Sequence, residues 1–150
     1  AQGGVYAVHR FLSTLGIDTT NFIMADGSGL SFYDLLTTGM IIQLLEGMTL
    51  QGDIFPLFHQ SLPIAGIDGT LRSRMKRTPA EGNLRAKTGT ISGVSSLSGY
   101  VQTLDGELIA FAMTMQNFIY PTRLYQHAQD KIGALLAGFS RIGRTSRPQP

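Results

Sequence analysis

Leu84-Arg85-Ala86-Lys87-Thr88-Gly89-Thr90-Ile91-Ser92-Gly93-Val94-Ser95-Ser96-Leu97-Ser98-Gly99-Tyr100-Val101 marks a change of period in the chain. From Gly82 onward the pattern alternates, and three strands are expected: Leu84 to Thr88, Val94 to Thr103 and Glu107 to Met115. The last two are joined by Leu104-Asp105-Gly106, whose Asp-Gly pair is a strong hairpin signal. Leu108-Ile109-Ala110-Phe111-Ala112-Met113 is apolar at every position. A strand of that kind is covered on both faces and is expected to be central in its sheet. The hairpin supplies one neighbour. The other is expected upstream of residue 1, because the earlier candidate near Ile23 is very short. After the strands, Pro121 suits the first turn of a helix. Its expected buried face is Leu124, Ala128, Ile132, Leu135 and Phe139.

Before Gly82 the apolar period is helical. Val5, Val8, Leu12 and Leu15 share a face over Val5 to Leu15, and Gly16 suits the C-terminal cap. Asp26-Gly27-Ser28-Gly29 must turn after the short apolar run Phe22 to Ala25. Thr37 or Thr38 suits the N-cap of a helix carrying Ile41, Leu44, Leu45 and Met48. Asp53 to Gln60 suits a further short helix stopped by Pro63. Asp68-Gly69-Thr70 opens the basic run Leu71-Arg72-Ser73-Arg74-Met75-Lys76-Arg77. The expected organisation is one unit over residues 1–140, its helices before Gly82 forming a part separate from the sheet, and a flexible tail over 141–150.

Composition narrows the function classes. The chain has 150 residues, one domain's worth, with 43% apolar and 15% charged residues. A net charge of +2 gives no case for a nucleic-acid or membrane partner. The basic run also lacks interleaved aromatics, which argues against a nucleic-acid-binding domain. With no cysteine, disulfides and thiolate metal sites are excluded. No apolar run approaches the roughly 20 residues of a membrane helix. The start, Ala1-Gln2-Gly3-Gly4, has neither an initiator Met nor the pattern of a signal peptide, as expected of a fragment or processed chain.

Lys87-Thr88-Gly89 is the chemical centre of the sequence. As a tripeptide it is common, and its ordinary reading is a surface Lys at a turn. Its setting adds weight. It is expected to end a strand, to precede a Gly-rich turn (Gly89, Gly93) and to lead into a strand of small residues (Ser95, Ser96, Ser98, Gly99). An ammonium, a hydroxyl and exposed backbone along a strand edge can take an extended peptide by strand addition and hold its terminal carboxylate. Gly89 leaves room for a ligand to approach.

Four motifs in order carry a family resemblance: Asp26-Gly27-Ser28-Gly29-Leu30-Ser31, Ile64-Ala65-Gly66-Ile67-Asp68-Gly69-Thr70-Leu71, Arg85-Ala86-Lys87-Thr88-Gly89-Thr90 and Ser96-Leu97-Ser98-Gly99-Tyr100. Together they resemble class C low-molecular-mass penicillin-binding proteins (peptidase family S13), the D-alanyl-D-alanine carboxypeptidases and endopeptidases of the bacterial envelope. The resemblance covers about Val5 to Phe139. One departure is Phe32, where the family has a basic residue. The resemblance implies the C-terminal part of an α/β, β-lactamase/transpeptidase-like fold: a helical region, a three-stranded antiparallel sheet and a last helix. It also implies a periplasmic or extracytoplasmic place, peptidoglycan stem peptides as substrates, β-lactams as substrate mimics and no cofactor. By the same resemblance Lys87 sets the electrostatics of the site, Thr88 and Gly89 belong to the substrate strand, and Thr88 binds the terminal carboxylate. The backbone N–H of Thr90 forms half of the oxyanion hole.

The family's machinery comprises Ser-x-x-Lys, Ser-x-Asn and Lys-Thr-Gly. Ser73-Arg74-Met75-Lys76 fits the first by letter but ends only eleven residues before Lys87. It is therefore rejected as the nucleophile, and Arg74 and Arg77 are read as a solvated face. No Ser-x-Asn occurs. Nucleophile and Ser-x-Asn are both expected in the N-terminal part of the same protein, and this chain alone is expected to be inactive. The competing reading is a noncatalytic peptidoglycan- or peptide-binding module. His9, His59 and His127 show no metal-ligand spacing. Gly82 to Thr88 lacks the Gly before Lys that a phosphate loop needs. Ser28 is a turn residue with no adjacent base.

Overall fold

The computed structural model describes residues 2–142. The elements run α1 (Gln2–Thr14), α2 (Thr38–Thr49), α3 (Ile54–Ser61), a 3-10 turn (Gly69–Leu71), β1 (Arg85–Ile91), β2 (Val94–Gln102), β3 (Leu108–Gln116) and α4 (Thr122–Ala137). Local chemistry sets several of these boundaries. Thr37 Oγ1 accepts the Met40 N–H at 3.2 Å and starts α2. Gly16, at φ +74°, closes α1, and the Ile17 N–H donates to Leu12 O at 3.1 Å. The strand-like run at Ile23 forms only a bridge to Leu35.

The sheet is antiparallel in the order β1-β2-β3. Alternate residues serve two cores. Leu97 and Val101 on β2, with Ala86 on β1 and Phe111, Ile109 and Met113 on β3, meet Leu71, Met75, Leu84 and Ala137. On the opposite face Tyr100 and Ala110 meet Leu45, Leu62, Phe55 and Phe58 from α2, the segment after α3, and α3. The Tyr100 hydroxyl donates to Leu45 O at 2.7 Å, and burial pushes its pKa up to about 12. Fully burying a Leu or Val side chain stabilises by about 1.5–3 kcal/mol, so the Leu97–Val101 run is the main anchor of β2. β3 packs on both faces, Phe111, Ile109 and Met113 in one core and Ala110 in the other, but among the described residues it is the edge strand of the sheet and not its centre.

Three further expectations need correction. The helices before Gly82 are not separate from the sheet, because α2 packs directly on β3. The strand holding Lys87 does not end at Thr88; β1 continues to Ile91 and the turn is Ser92-Gly93, with Gly93 at φ +69°. Finally, α4 does lie on the sheet, but with a different face from the apolar stripe. Gln129, Gly133 and Ala137 are its buried residues, while Leu124 and Leu135 are 55% and 73% exposed. The cause is fit: a Cβ on Gly133 would come within 2.8 Å of Leu84 Cδ1 and 3.0 Å of Met75 Sδ, so only a small residue lets α4 sit this close.

The start of the expected tail is held. Ser140 Oγ and the Arg141 N–H both donate to the Asp105 carboxylate, and Arg141 Nε donates to Glu107 at 2.8 Å. The rest of that expected tail, 143–150, lies outside the described residues.

Candidate functional site

β1 has β2 on one side and a partly open edge on the other. At its start that outer edge is occupied: the Ala65 N–H donates to Leu84 O at 2.9 Å, the Ala86 N–H donates to Pro63 O at 3.0 Å, and Ile64 bridges Arg85. Backbone groups of a strand alternate in direction. The N–H groups of Thr88 and Thr90 therefore point the same way as that of Ala86. No strand partner meets them among the described residues. The register agrees, because Ile91 opposite Val94 closes the two-residue turn Ser92-Gly93. Beyond Ala86 the outward N–H groups thus have no strand partner among the described residues and can pair with another extended chain.

Along this edge the side chains of Lys87 and Thr88 leave opposite faces of β1. Lys87 is exposed, and its Nζ donates to Thr88 O at 2.6 Å. Among the described residues the ion pairs are Arg74–Asp130 and Arg141–Glu107, and Lys87 takes part in neither. Thr88 Oγ1 donates to Thr70 Oγ1 at 3.0 Å. Gly89 faces Ser96 and Thr90 faces Ser95 in the ladder. Lys87, Thr88, Gly89 and Thr90 therefore lie together on one strand. An ammonium, a hydroxyl and two outward N–H donors on one edge can bind an extended anionic peptide.

Behind Thr90 the sheet is braced by a buried polar cluster. Gln129, fully buried on α4, donates from Nε2 to Ser95 O at 3.1 Å. Its Oε1 accepts from Arg74 Nη2 at 3.1 Å and from Ser95 Oγ at 3.5 Å. Arg74 also donates from Nε to Asp130 at 2.8 Å and from Nη2 to Gln126 O at 3.2 Å. The solvated-face reading of Arg74 is corrected here: its side chain is 11% exposed and ties the basic segment to α4. Sequence reasoning missed this because the partners are 55 and 56 positions apart, beyond any local signal.

Ser73 and Lys76 lie exposed in irregular turns rather than on a helix, with Met75 at φ 57° and Arg77 at φ 60° between and beside them. The helical i, i+3 arrangement that would stack Lys76 beside Ser73 is not formed. Ser28 Oγ accepts the Leu30 N–H at 3.1 Å and so serves its own turn; Phe32 is 63% exposed. His9 packs on Phe22, with ring centroids 5.0 Å apart, and His59 on Tyr100, at 5.5 Å. Among the described residues no cluster of His or carboxylates suits a metal ion, and no helix is long and apolar enough to cross a membrane.

Comparison with known proteins points one way. The D-Ala-D-Ala carboxypeptidase 3 (S13) family model matches residues 1–138. A D-alanyl-D-alanine carboxypeptidase from Actinomadura sp. (strain R39) is 42% identical over 144 residues, which is 93% of this chain and 26% of that protein. The crystal structure of penicillin-binding protein 4 from Haemophilus influenzae superposes with a TM-score of 0.79 at 32% identity, over 90% of this chain and 32% of that one. The same protein complexed with a β-lactam gives a TM-score of 0.77 at 32% identity, over 90% and 33% of the respective chains. The chain thus spans about a quarter of the length of the curated relative. Among the described residues, four α-helices and a three-stranded antiparallel sheet match about a third of that structure's fold.

Proposed function

The chain belongs to the D-Ala-D-Ala carboxypeptidase 3 (S13) family, and from that premise we propose that it supplies the substrate-binding strand of a serine-type D-Ala-D-Ala carboxypeptidase or endopeptidase acting on peptidoglycan stem peptides. The carrying observation is the outer edge of β1, which has no strand partner beyond Ala86 among the described residues and bears Lys87, Thr88 and the outward N–H of Thr90. An extended stem peptide adds to this edge. Lys87 and the Thr88 hydroxyl hold its terminal carboxylate, and Gly89 keeps the strand slim beside it.

In the complete protein a serine hydroxyl from outside this chain attacks the scissile carbonyl. The bond to the terminal D-Ala nitrogen breaks, that amine leaves protonated, and an acyl-enzyme remains for water to hydrolyse. The negative charge developing on the carbonyl oxygen is met by the Thr90 N–H and by the N–H of that serine. Donors fixed where charge develops are usually the largest catalytic contribution. Peptidoglycan stem peptides lie outside the cytoplasm, which supports an extracytoplasmic site of action, and β-lactams act as substrate mimics.

The test is release of D-Ala by the complete protein from a peptide ending in D-Ala-D-Ala and from its C-terminal amide. Thr88→Val removes the hydroxyl and keeps the volume. It should slow the free acid by the ~1.5–3 kcal/mol of a hydrogen bond to a charged group, and the amide much less. Equal losses would remove Thr88 from carboxylate binding. Tight peptide binding by the unsubstituted protein with no D-Ala release would make it a noncatalytic binding module instead.

A further inference from the structure

Thr70 reaches the site from outside the strand. Its Oγ1 is 3.0 Å from Thr88 Oγ1, across 18 positions of sequence. The loop that carries it is held at both ends. Ala65 and Leu71 are fully buried, the Ala65 N–H is bonded to Leu84 O, and the Gly66 N–H donates to Leu71 O at 2.9 Å. Between them Asp68 Oδ1 accepts the Ile64 N–H at 2.6 Å, and Gly69 turns the chain at φ +50°, where a Cβ would press on Pro63 at 3.0 Å. Ile64 is itself bridged to Arg85 at the start of β1. The loop and the strand therefore form one braced piece, and the position of Thr70 relative to Thr88 is determined by it.

A hydroxyl has one hydrogen to donate and can accept two. Thr88 and Thr70 share one hydrogen bond at 3.0 Å, which uses the hydrogen of one of the two hydroxyls. A carboxylate at the β1 edge needs the hydrogen of Thr88. We propose that Thr70 is a positioning residue for the substrate's terminal carboxylate: when the anion binds, Thr88 turns its hydrogen to it and Thr70 donates to Thr88 Oγ1. The result is a chain, Thr70 to Thr88 to carboxylate, in which each bond polarises the next. The contact with Thr70 restrains the Thr88 side chain, which lowers the ordering cost of binding. This inference rests on the proposed carboxylate-binding role of Thr88.

The experiment uses the complete protein and a β-lactam as probe, either with its free carboxylate or as the methyl ester. The rate of acylation is measured for the unsubstituted protein and for Thr88→Val, Thr70→Val and Thr70→Ser. The ratio of the two rates within one variant does not depend on how much of that variant is folded. Thr70→Val should lower the free-acid rate by roughly 3–10-fold relative to the ester, and Thr70→Ser should restore the ratio. With Thr88→Val already present, Thr70→Val should lower the ratio no further. Equal losses on acid and ester, or a ratio that Thr70→Ser leaves low, would reduce Thr70 to a loop residue and overturn the inference. An unchanged ratio in Thr70→Val, with a lowered one in Thr88→Val, would overturn it while the carboxylate role of Thr88 stands. An unchanged ratio in Thr88→Val would overturn both.

Discussion

Gly89 and Ser96 are cross-strand partners so close that a Cβ on Gly89 would come within 2.4 Å of Ser96 Oγ. A side chain at position 89 therefore requires the Ser96 hydroxyl to move aside, and the φ of Gly89 is not positive. Gly89→Ala should force the Ser96 hydroxyl aside and weaken the β1–β2 pairing, at about 1–3 kcal/mol for overpacking. In Gly89→Ala/Ser96→Ala the offending oxygen is gone, and Ser96 Cβ at 3.8 Å leaves ordinary contact. Denaturant unfolding should show stability lost in the single variant and largely recovered in the double. If the double variant regains stability but not acylation by a β-lactam, Gly89 also serves the ligand.

Arg74 is the link between the basic segment and the Gln129–Ser95 brace behind Thr90. Arg74→Ala leaves the Asp130 carboxylate, 20% exposed, without its cation. Removing one member of a buried ion pair costs about 3–5 kcal/mol, and partial exposure places this one at or below the lower end. Arg74→Lys keeps the charge but not the planar fork that meets Asp130, Gln129 and the Gln126 carbonyl at once. Both variants should unfold at lower denaturant than the parent, Arg74→Ala the more so. A parent-like midpoint for Arg74→Ala would show that the cluster adds nothing.

His59 gives the fold a pH dependence. Burial, and secondly the Arg85 guanidinium, hold its pKa below the usual 6.5. The unfolded chain therefore takes up a proton at a higher pH than the folded chain does. Stability is complete above 6.5, falls as pH drops below it, and levels once the folded imidazole is also charged. His59→Phe keeps a ring against Tyr100 and removes the proton. The difference in thermal midpoint between the two proteins should change over the mildly acidic range and stay constant above neutrality. A difference that does not vary with pH would refute this.

The 150-residue chain should form no stable acyl adduct with a labelled β-lactam, because Ser73 sits in an exposed turn with no helix to place Lys76 beside it. Mass spectrometry after incubation is the measurement. A stoichiometric adduct on Ser73, lost in Ser73→Ala, would overturn the assignment of the nucleophile to a segment outside this chain.

Sequence alone determined what depends on neighbours along the chain. The Thr37 cap, the Gly16 stop, the Asp105-Gly106 hairpin and the three strands are local, since a few consecutive residues supply both the signal and the bond that answers it. The order of the motifs also carried the family. Tertiary structure decided the rest. That β1 runs on through Gly89 to Ile91 depends on β2 pairing with it residue by residue. That α4 buries Gln129, Gly133 and Ala137 rather than Leu124 and Leu135 depends on shape: Gly133 fits against Leu84 and Met75, and Gln129 finds partners in Arg74 and Ser95. An apolar stripe states what gains from burial, not whether a complementary surface exists to bury it. Thr70 against Thr88 is the same case, for two hydroxyls meet only because the Ile64–Leu71 loop is tied to the start of β1. Such contacts are selected by packing and hydrogen-bond satisfaction across the whole fold, which no window of sequence contains.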